Sequence, residues 1–323
     1  MFDVITLGET MLRLTPPHDQ RLAQAQQLTV DVGGSESNVA VGLARLGLHV
    51  AWLSRLPRSP LGERVAGTLR GWSVDTSQVA WADDARLGLY FWEDAAPPRP
   101  NLVLYDRQGS AMSQMTPADL PVQLNGRHLH LSGITPALSA EAAATAVRAA
   151  ELAQAAQMTI SFDLNFRRKL WEPAQARSGC QPLLHAADLL LLPLRDAQLV
   201  LDIDPVLTPE AALSALAGHY PGKTIVLTLG EQGAAAVDGN GRFHHQPAIS
   251  TSGGYRLGSG DAFAAGVIYG RYFAGDDASL AQALRWGVAM AALKRTIPGD
   301  MPLVDKTAVA QLASAADNRG DVR

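Results

Sequence analysis

Short runs rich in Val, Ile and Leu alternate along the chain with longer stretches whose apolar residues recur every three to four positions. DVITLG (residues 3–8) and HVAWLSRL (49–56) flank the helical pattern ESNVAVGLARLG (36–47), and GERVAGTLRGW (62–72) supplies the next helix. Further on come HLHLSG, the alanine-rich SAEAAATAVRAAELAQAAQ, MTISFDLN, ADLLLLPL and TIVLTLG. From Asp261 through SLAQALRWGVAMAALKR the pattern is mostly helical. Strand–helix alternation of this kind predicts an α/β fold, a mostly parallel sheet with helices on both faces. Such sheets bind ligands at the C-terminal ends of their strands.

Two segments break the alternation. MLRLTPPHDQRLAQAQQLTVDVGG (11–34) and ARLGLYFWEDAAPPRPNLVLYDRQGSAMSQM (85–115) read as strands joined by Pro-rich turns. We expect them to form one small β-sheet outside the main body, a lid spanning about residues 10–32 and 86–116; two unrelated surface hairpins are the plainer alternative. Residues 1–323 then make a single domain, with 314–323 as a disordered tail.

Composition narrows the function. With 323 residues, 47% of them hydrophobic, a large core is available. The formal net charge of -4 argues against nucleic acid or an anionic membrane as partner, since both need clustered Lys and Arg. The single cysteine, Cys180, excludes an internal disulfide and metal sites built on paired cysteines. The N-terminus lacks a basic leader and long apolar region, and no apolar run approaches the length of a membrane span, so a cytoplasmic protein is expected. His128 and His130 should share one strand face, structural or partly solvated, and His244 and His245 should lie in a hairpin-like loop; neither pair suggests a metal site.

AGHYPGKT (217–224) mimics a phosphate-binding loop, but it follows a helical pattern and precedes a strand, the reverse of what such a loop needs. Pro221 and Gly222 fit a turn. YRLGSGDAFAAG (255–266) is a better candidate. Gly258, Ser259 and Gly260 stand just ahead of a helix, where free N–H groups and the helix dipole favour an anion. Asp261 beside them makes sense as a base for an attacking hydroxyl in phosphoryl transfer. An ordinary N-cap aspartate is the plainer alternative for this stretch alone.

Two more segments, GGSESNVAVGLARLG (33–47) and TLGEQGAAAV (228–237), occur in order with GSGDAFAAG. Together the three resemble the ribokinase-like (PfkB) carbohydrate kinases over essentially the whole chain. The resemblance implies a Rossmann-like domain with a β-sheet lid, and transfer of the γ-phosphate of ATP to a sugar hydroxyl with Mg2+. It implies Asp261 as the base and the amides of residues 258 to 261 as the anion hole. Gly33 and Gly34 would serve as lid hinge near the sugar, with Asn38 beside them, and Thr228, Gly230 and Gly233 would line the nucleotide site.

Which hydroxyl compound is taken depends on two arginines. Val103, Tyr105 and Arg107 should share one face of a lid strand, and Asp163, Asn165 and Arg167 one face at the end of a core strand. A sugar acid needs such a cation for its carboxylate; solvated surface charges are the plainer alternative. TLGETMLRLTPP, VLYDRQGSA, LHLSGITPALS, FDLNFRRKLW and LKRTIPGDMPLV resemble the 2-keto-3-deoxygluconate kinases. That resemblance implies Tyr105, Arg107 and Arg167 at the keto-acid end, with Tyr90 and Gly34 as neighbours, and phosphorylation of the terminal hydroxyl. It leaves gluconate and galactonate epimers undivided.

The chain departs from the family pattern in places. Tyr255 replaces an aspartate that commonly helps bind a monovalent cation, which leaves potassium activation open. Pro193 and Asp196 replace the family's Asn and Glu near the metal, leaving Asp196 as the one weak metal candidate, and Thr228 stands where many relatives have Lys. The rivals are a kinase of a neutral sugar such as fructose or ribose, and a sugar-acid-binding protein that has lost catalysis. A dinucleotide oxidoreductase lacks its glycine fingerprint here. The apolar LGLYFW (87–92) would suit a lid-to-lid homodimer.

Overall fold

A computed structural model of the chain describes residues 1–95, 98–275 and 279–317. Its centre is a nine-stranded sheet in the order β15-β14-β13-β12-β11-β10-β1-β4-β6. The strands are β1 (Phe2–Leu7), β4 (Val50–Leu53), β6 (Val74–Asp75), β10 (Gly126–Ser132), β11 (Thr159–Asp163), β12 (Leu189–Pro193), β13 (Thr224–Thr228), β14 (Ala234–Val237) and β15 (Phe243–Gln246). All pairings from β6 to β13 are parallel, while β14 and β15 add an antiparallel edge. Side chains alternate between the faces. Val4, Leu189 and Leu191 pack on one side with α1 (Ser35–Arg45), α2 (Pro60–Gly71), α7 (Ser259–Tyr272), α8 (Leu280–Lys294) and α9 (Lys306–Asp317). Ile5, Leu190 and Leu192 pack on the other with α3 (Ala140–Ala155), α4 (Pro173–Ala186), α5 (Leu194–Val200) and α6 (Pro209–His219). The α/β fold expected from the periodicity is what forms.

Helix starts follow local chemistry. Ser59, Ser139, Thr208 and Ser279 cap α2, α3, α6 and α8 through their side-chain oxygens, each worth about 1 kcal/mol over alanine. Gly222, at φ 76°, makes the turn between α6 and β13, so the AGHYPGKT segment is a connection.

The two irregular segments meet in a separate four-stranded sheet, β3-β2-β8-β9. It comprises β2 (Met11–Thr15), β3 (Thr29–Gly33), β8 (Leu89–Glu93) and β9 (Leu102–Asp106). The 86–116 boundary needs correction: Ala111, Met112 and Met115 are buried, and both methionines belong to the main core, so the chain has left the small sheet by then. HVAWLSRL is not one strand either. After β4 it turns at Ser54 into β5 (Arg55–Pro57), which pairs with β7 (Ala80–Ala82) in a two-stranded sheet.

Three further expectations change. His244 and His245 lie in strand β15, not a loop, paired to Ala236 and Ala235. His128 and His130 are fully buried, not partly solvated, and share Ser161 Oγ as a partner; burial pushes both imidazoles down to about 3, so they stay neutral. In the expected tail, α9 extends to Asp317, and 318–323 lie outside the described residues. Among the described residues no helix is long and apolar enough to cross a membrane.

Candidate active site

Asp261 stands in the first turn of α7. Gly258, the residue ahead of that helix, is left-handed at φ 72°, and a Cβ there would overlap the carbonyl oxygen of Asp300. Only glycine meets both demands. Ser259 N–H donates to Arg256 O at 3.2 Å, so it is already engaged. Those of Gly260 and Asp261 lie in the first turn, where a helix supplies no backbone acceptor, and the helix dipole adds positive potential. The start of α7 is therefore an anion cradle with a carboxylate inside it.

That carboxylate is held from the other side of the cleft. Ser35 Oγ donates to Asp261 Oδ1 at 2.7 Å and Asn38 Nδ2 donates to Oδ2 at 2.7 Å, both from the first turn of α1. Ser35 Oγ in turn accepts from Asn165 Nδ2 at 2.7 Å. Burial pushes the Asp261 carboxyl above the usual aspartate range, while these hydrogen bonds and the nearby Arg167 charge pull it back. The result is a carboxylate that is oriented by two donors and raised above its ordinary range by burial.

A cavity of about 150 Å³ opens between this base and the small sheet. Gly33, Gly34, Asn38, Tyr90, Tyr105, Arg107, Arg167, Gly258 and Asp261 all line it, together with Glu9 and Asp300. At Gly34 a Cβ would overlap the carbonyl of Glu9, so the chain passes there only as glycine. Arg107 is buried, donates from Nε to Glu9 Oε2 at 2.7 Å, and is ion-paired to it through Nη2. Its guanidinium also lies 5.6 Å from the Tyr105 ring centre. Arg167 donates to Phe166 O at 3.3 Å and makes no direct ion pair among the described residues. The two guanidinium groups thus differ: one is neutralised in place, the other is a free cation facing the cavity.

Asp163 and Asn165, expected on the same face as Arg167 and so beside the substrate, do not line the cavity that Arg167 lines. β11 ends at Asp163, and Asn165 is left-handed at φ 39°, which breaks the period-two alternation and turns its side chain toward Ser35. Asp163 lies behind the wall, where burial and the Asp261 charge push its carboxyl up to about 8.

A second cavity, about 290 Å³, adjoins the cradle on its outer side. Thr228, Gly230 and Gly233 line it with Ser259 and Gly260. Ile249, Phe263, Val288, Ala291 and Ala292 add apolar walls, and Arg256 and Arg295 add charge. Apolar walls beside an anion cradle fit a flat base joined to phosphates. Asp196, in the first turn of α5, spends Oδ2 on Phe166 N–H at 3.1 Å, and burial raises its carboxyl. No cluster of three or more metal-ligating side chains exists among the described residues. These residues alone offer no cation cage, and any divalent ion would be held mainly by a bound nucleotide.

Sequence reasoning missed Glu9, Ser35, Asp300 and Arg13, which shape the site from distant elements. Their partners are remote in sequence, so no local pattern marks them. In the apolar LGLYFW stretch Leu87 and Tyr90 are buried while Leu89, Phe91 and Trp92 are half-buried, and Phe91 lies across from Leu104, which with Leu102 on β9 is exposed, at 47% and 39%.

Residues 1–307 match the model of the pfkB family of carbohydrate kinases. The chain is 41% identical to a 2-dehydro-3-deoxygalactonokinase of Haloferax volcanii over 320 residues, covering 98% of each chain. It is 32% identical to a 2-dehydro-3-deoxygluconokinase of Bacillus subtilis, covering 93% of this chain and 91% of that one. The crystal structure of a 2-dehydro-3-deoxygluconokinase from Thermotoga maritima superposes with a TM-score of 0.89 at 33% identity, over 97% of this chain and 98% of that one. Matched over residues 1–307 and along nearly its whole length by these relatives, the chain belongs to the pfkB family of carbohydrate kinases.

Proposed function

We propose that the protein transfers the γ-phosphate of ATP to the terminal hydroxyl of a six-carbon 2-keto-3-deoxy sugar acid of the gluconate or galactonate series. The observation that carries this reading is the cavity where Asp261 faces Arg167, Arg107 and Tyr105. A carboxylate at one end meets the unpaired Arg167, and a hydroxyl at the other end meets the base. A neutral sugar would leave that cavity-lining cation without an anion. The named relatives act on compounds of this class, which supports the choice.

In the mechanism, the nucleotide lies in the larger cavity with its terminal phosphate at the start of α7. Asp261, aligned by Asn38 and Ser35, accepts the hydroxyl proton while the oxygen attacks phosphorus in line. Free amides of the α7 start receive the charge that spreads over the transferring group. Magnesium would accompany the nucleotide and neutralise its phosphates, with Asp196 as the one carboxylate that would hold a water near it. The small sheet covers the acceptor and excludes water. The exposed Leu102 and Leu104 on its outer face support pairing of two copies through these sheets, in a cytoplasmic homodimer.

The test is ADP release with the purified enzyme across keto-deoxy acids of both epimers, hexoses, ribose and nucleosides. The acids should exceed every neutral compound in kcat/KM by orders of magnitude. A neutral sugar turned over best, or no turnover with any acceptor, would sink the reading.

A further inference from the structure

Arg13, on β2 of the small sheet, is buried and points away from the substrate cavity into a neighbouring one of about 320 Å³. Its guanidinium is clamped between two carboxylates. Nη2 donates to Asp31 Oδ2 of β3 at 2.6 Å, and Nη1 pairs with Asp300 Oδ2 at 2.8 Å. Asp300 belongs to the loop after α8, in the main domain. Its other oxygen accepts from Tyr90 Oη of β8 at 2.7 Å. One main-domain carboxylate is therefore gripped by two strands of the small sheet.

The same residue reaches the anion cradle through its backbone, because the Asp300 carbonyl packs directly on Gly258. Gly33 makes the grip possible: a Cβ there would sit 2.6 Å from Tyr90 Oη and 2.8 Å from Asp300 Cγ. The loop is anchored at its near end too, where the fully buried Lys294 donates from Nζ to Ile297 O at 2.9 Å. Lid strand, carboxylate, carbonyl and cradle glycine thus form one chain of contacts.

We infer that Arg13 is a positioning residue that couples the small sheet to the phosphate cradle. When the sheet lies over the acceptor, Arg13 fixes Asp300, and the Asp300 carbonyl then fixes Gly258 and the amides behind it. With the sheet lifted, Arg13 withdraws and the loop loses its clamp, so the cradle assembles only over a bound acceptor. This rests on the kinase reading above. A buried ion pair is costly to desolvate and a packed apolar pair could stabilise the fold as well, so its use here suits a directional catch more than plain stability. Such coupling is strong because small displacements in a catalytic cradle are costly.

The test compares Arg13→Met, Arg13→Lys, Asp300→Asn and the double variant Arg13→Met/Asp300→Asn in the full chain. Turnover should fall about 10- to 100-fold in Arg13→Met, with KM for ATP changed less than kcat. Arg13→Lys should recover much of the loss, and the double variant should be no worse than the poorer single. Independent losses that multiply, or normal kcat in Arg13→Met, would overturn the inference while wild-type turnover keeps the kinase reading intact. Hydrogen exchange without any substrate gives a second readout. Arg13→Met should speed exchange at the amides of residues 258–261, and unchanged exchange there would overturn the coupling whatever the acceptor proves to be.

Discussion

Asn38 Nδ2 donates to Asp261 Oδ2 at 2.7 Å across 223 residues of chain. Two helix N-termini, of α1 and α7, are thereby tied at their first turns, and the tie passes through the reacting group. The bond stabilises the charged carboxylate, so it lowers the Asp261 pKa against the upward push of burial. Asn38→Ala should cost about 1.5–3 kcal/mol of transition-state stabilisation, the range for a hydrogen bond to a charged group, or roughly 10- to 100-fold in kcat. It should also move the acid limb of the pH–rate profile to higher pH. An unmoved limb with normal kcat would show that the bond is incidental.

In the proposed mechanism Asp261 itself takes the proton. Asp261→Asn keeps the shape and one acceptor oxygen for Ser35 or Asn38, but replaces the other with an NH2 group and removes the basic carboxylate. We expect kcat to fall roughly 100- to 10,000-fold, the usual contribution of a positioned base, with ATP affinity within a few-fold of the original by titration calorimetry. Turnover near the wild-type value would remove Asp261 from the mechanism.

Arg107 demands a different experiment from Arg167 because of Glu9. Glu9 is buried, and Arg107 is its ion-pair partner. Removing the arginine leaves a buried carboxylate unpaired, which costs on the order of 3–5 kcal/mol of stability. Arg107→Leu should therefore lower the denaturation midpoint as well as activity, and adding Glu9→Leu should restore much of the stability without restoring activity. Arg167 has no such partner, so Arg167→Leu should raise KM for the acid while the midpoint moves little. Equal midpoints for the two single variants would contradict this division.

The difference between the arginines was not visible in the sequence, although their shared cavity was. Period-two alternation correctly carried Val103, Tyr105 and Arg107 to one face, because β9 is a regular strand through Asp106. The same rule failed from Asp163 to Arg167, because the strand ends and Asn165 adopts a left-handed backbone that reverses its direction. The glycine-rich start of α7 was legible because Gly258 to Asp261 are neighbours in sequence, whereas the walls of the second cavity come from residues as far apart as Thr228 and Arg295. Glu9, Ser35, Arg13 and Asp300 act across long separations, and a local pattern holds no record of which distant charge a buried carboxylate will meet.

Glu36 offers a pH test of the scaffold under the base. It lies fully buried beneath Gly8, and its Oε1 accepts from Ser132 Oγ at 2.6 Å and Thr135 Oγ1 at 3.0 Å. Burial pushes its carboxyl from 4.5 up to about 7. An acid whose folded pKa lies above its unfolded value holds its proton more tightly when folded. The fold then loses nothing from this group below about pH 4.5, loses stability progressively to about pH 7, and keeps the full penalty above that. Glu36→Gln preserves the acceptor for Ser132 and Thr135 and cannot ionise. The gap between variant and wild-type stability should therefore widen in the variant's favour between pH 4.5 and 7, by on the order of 3 kcal/mol. Denaturant melts at pH 4.5, 6 and 8 measure it directly, and parallel profiles would mean that Glu36 is ionised at little cost.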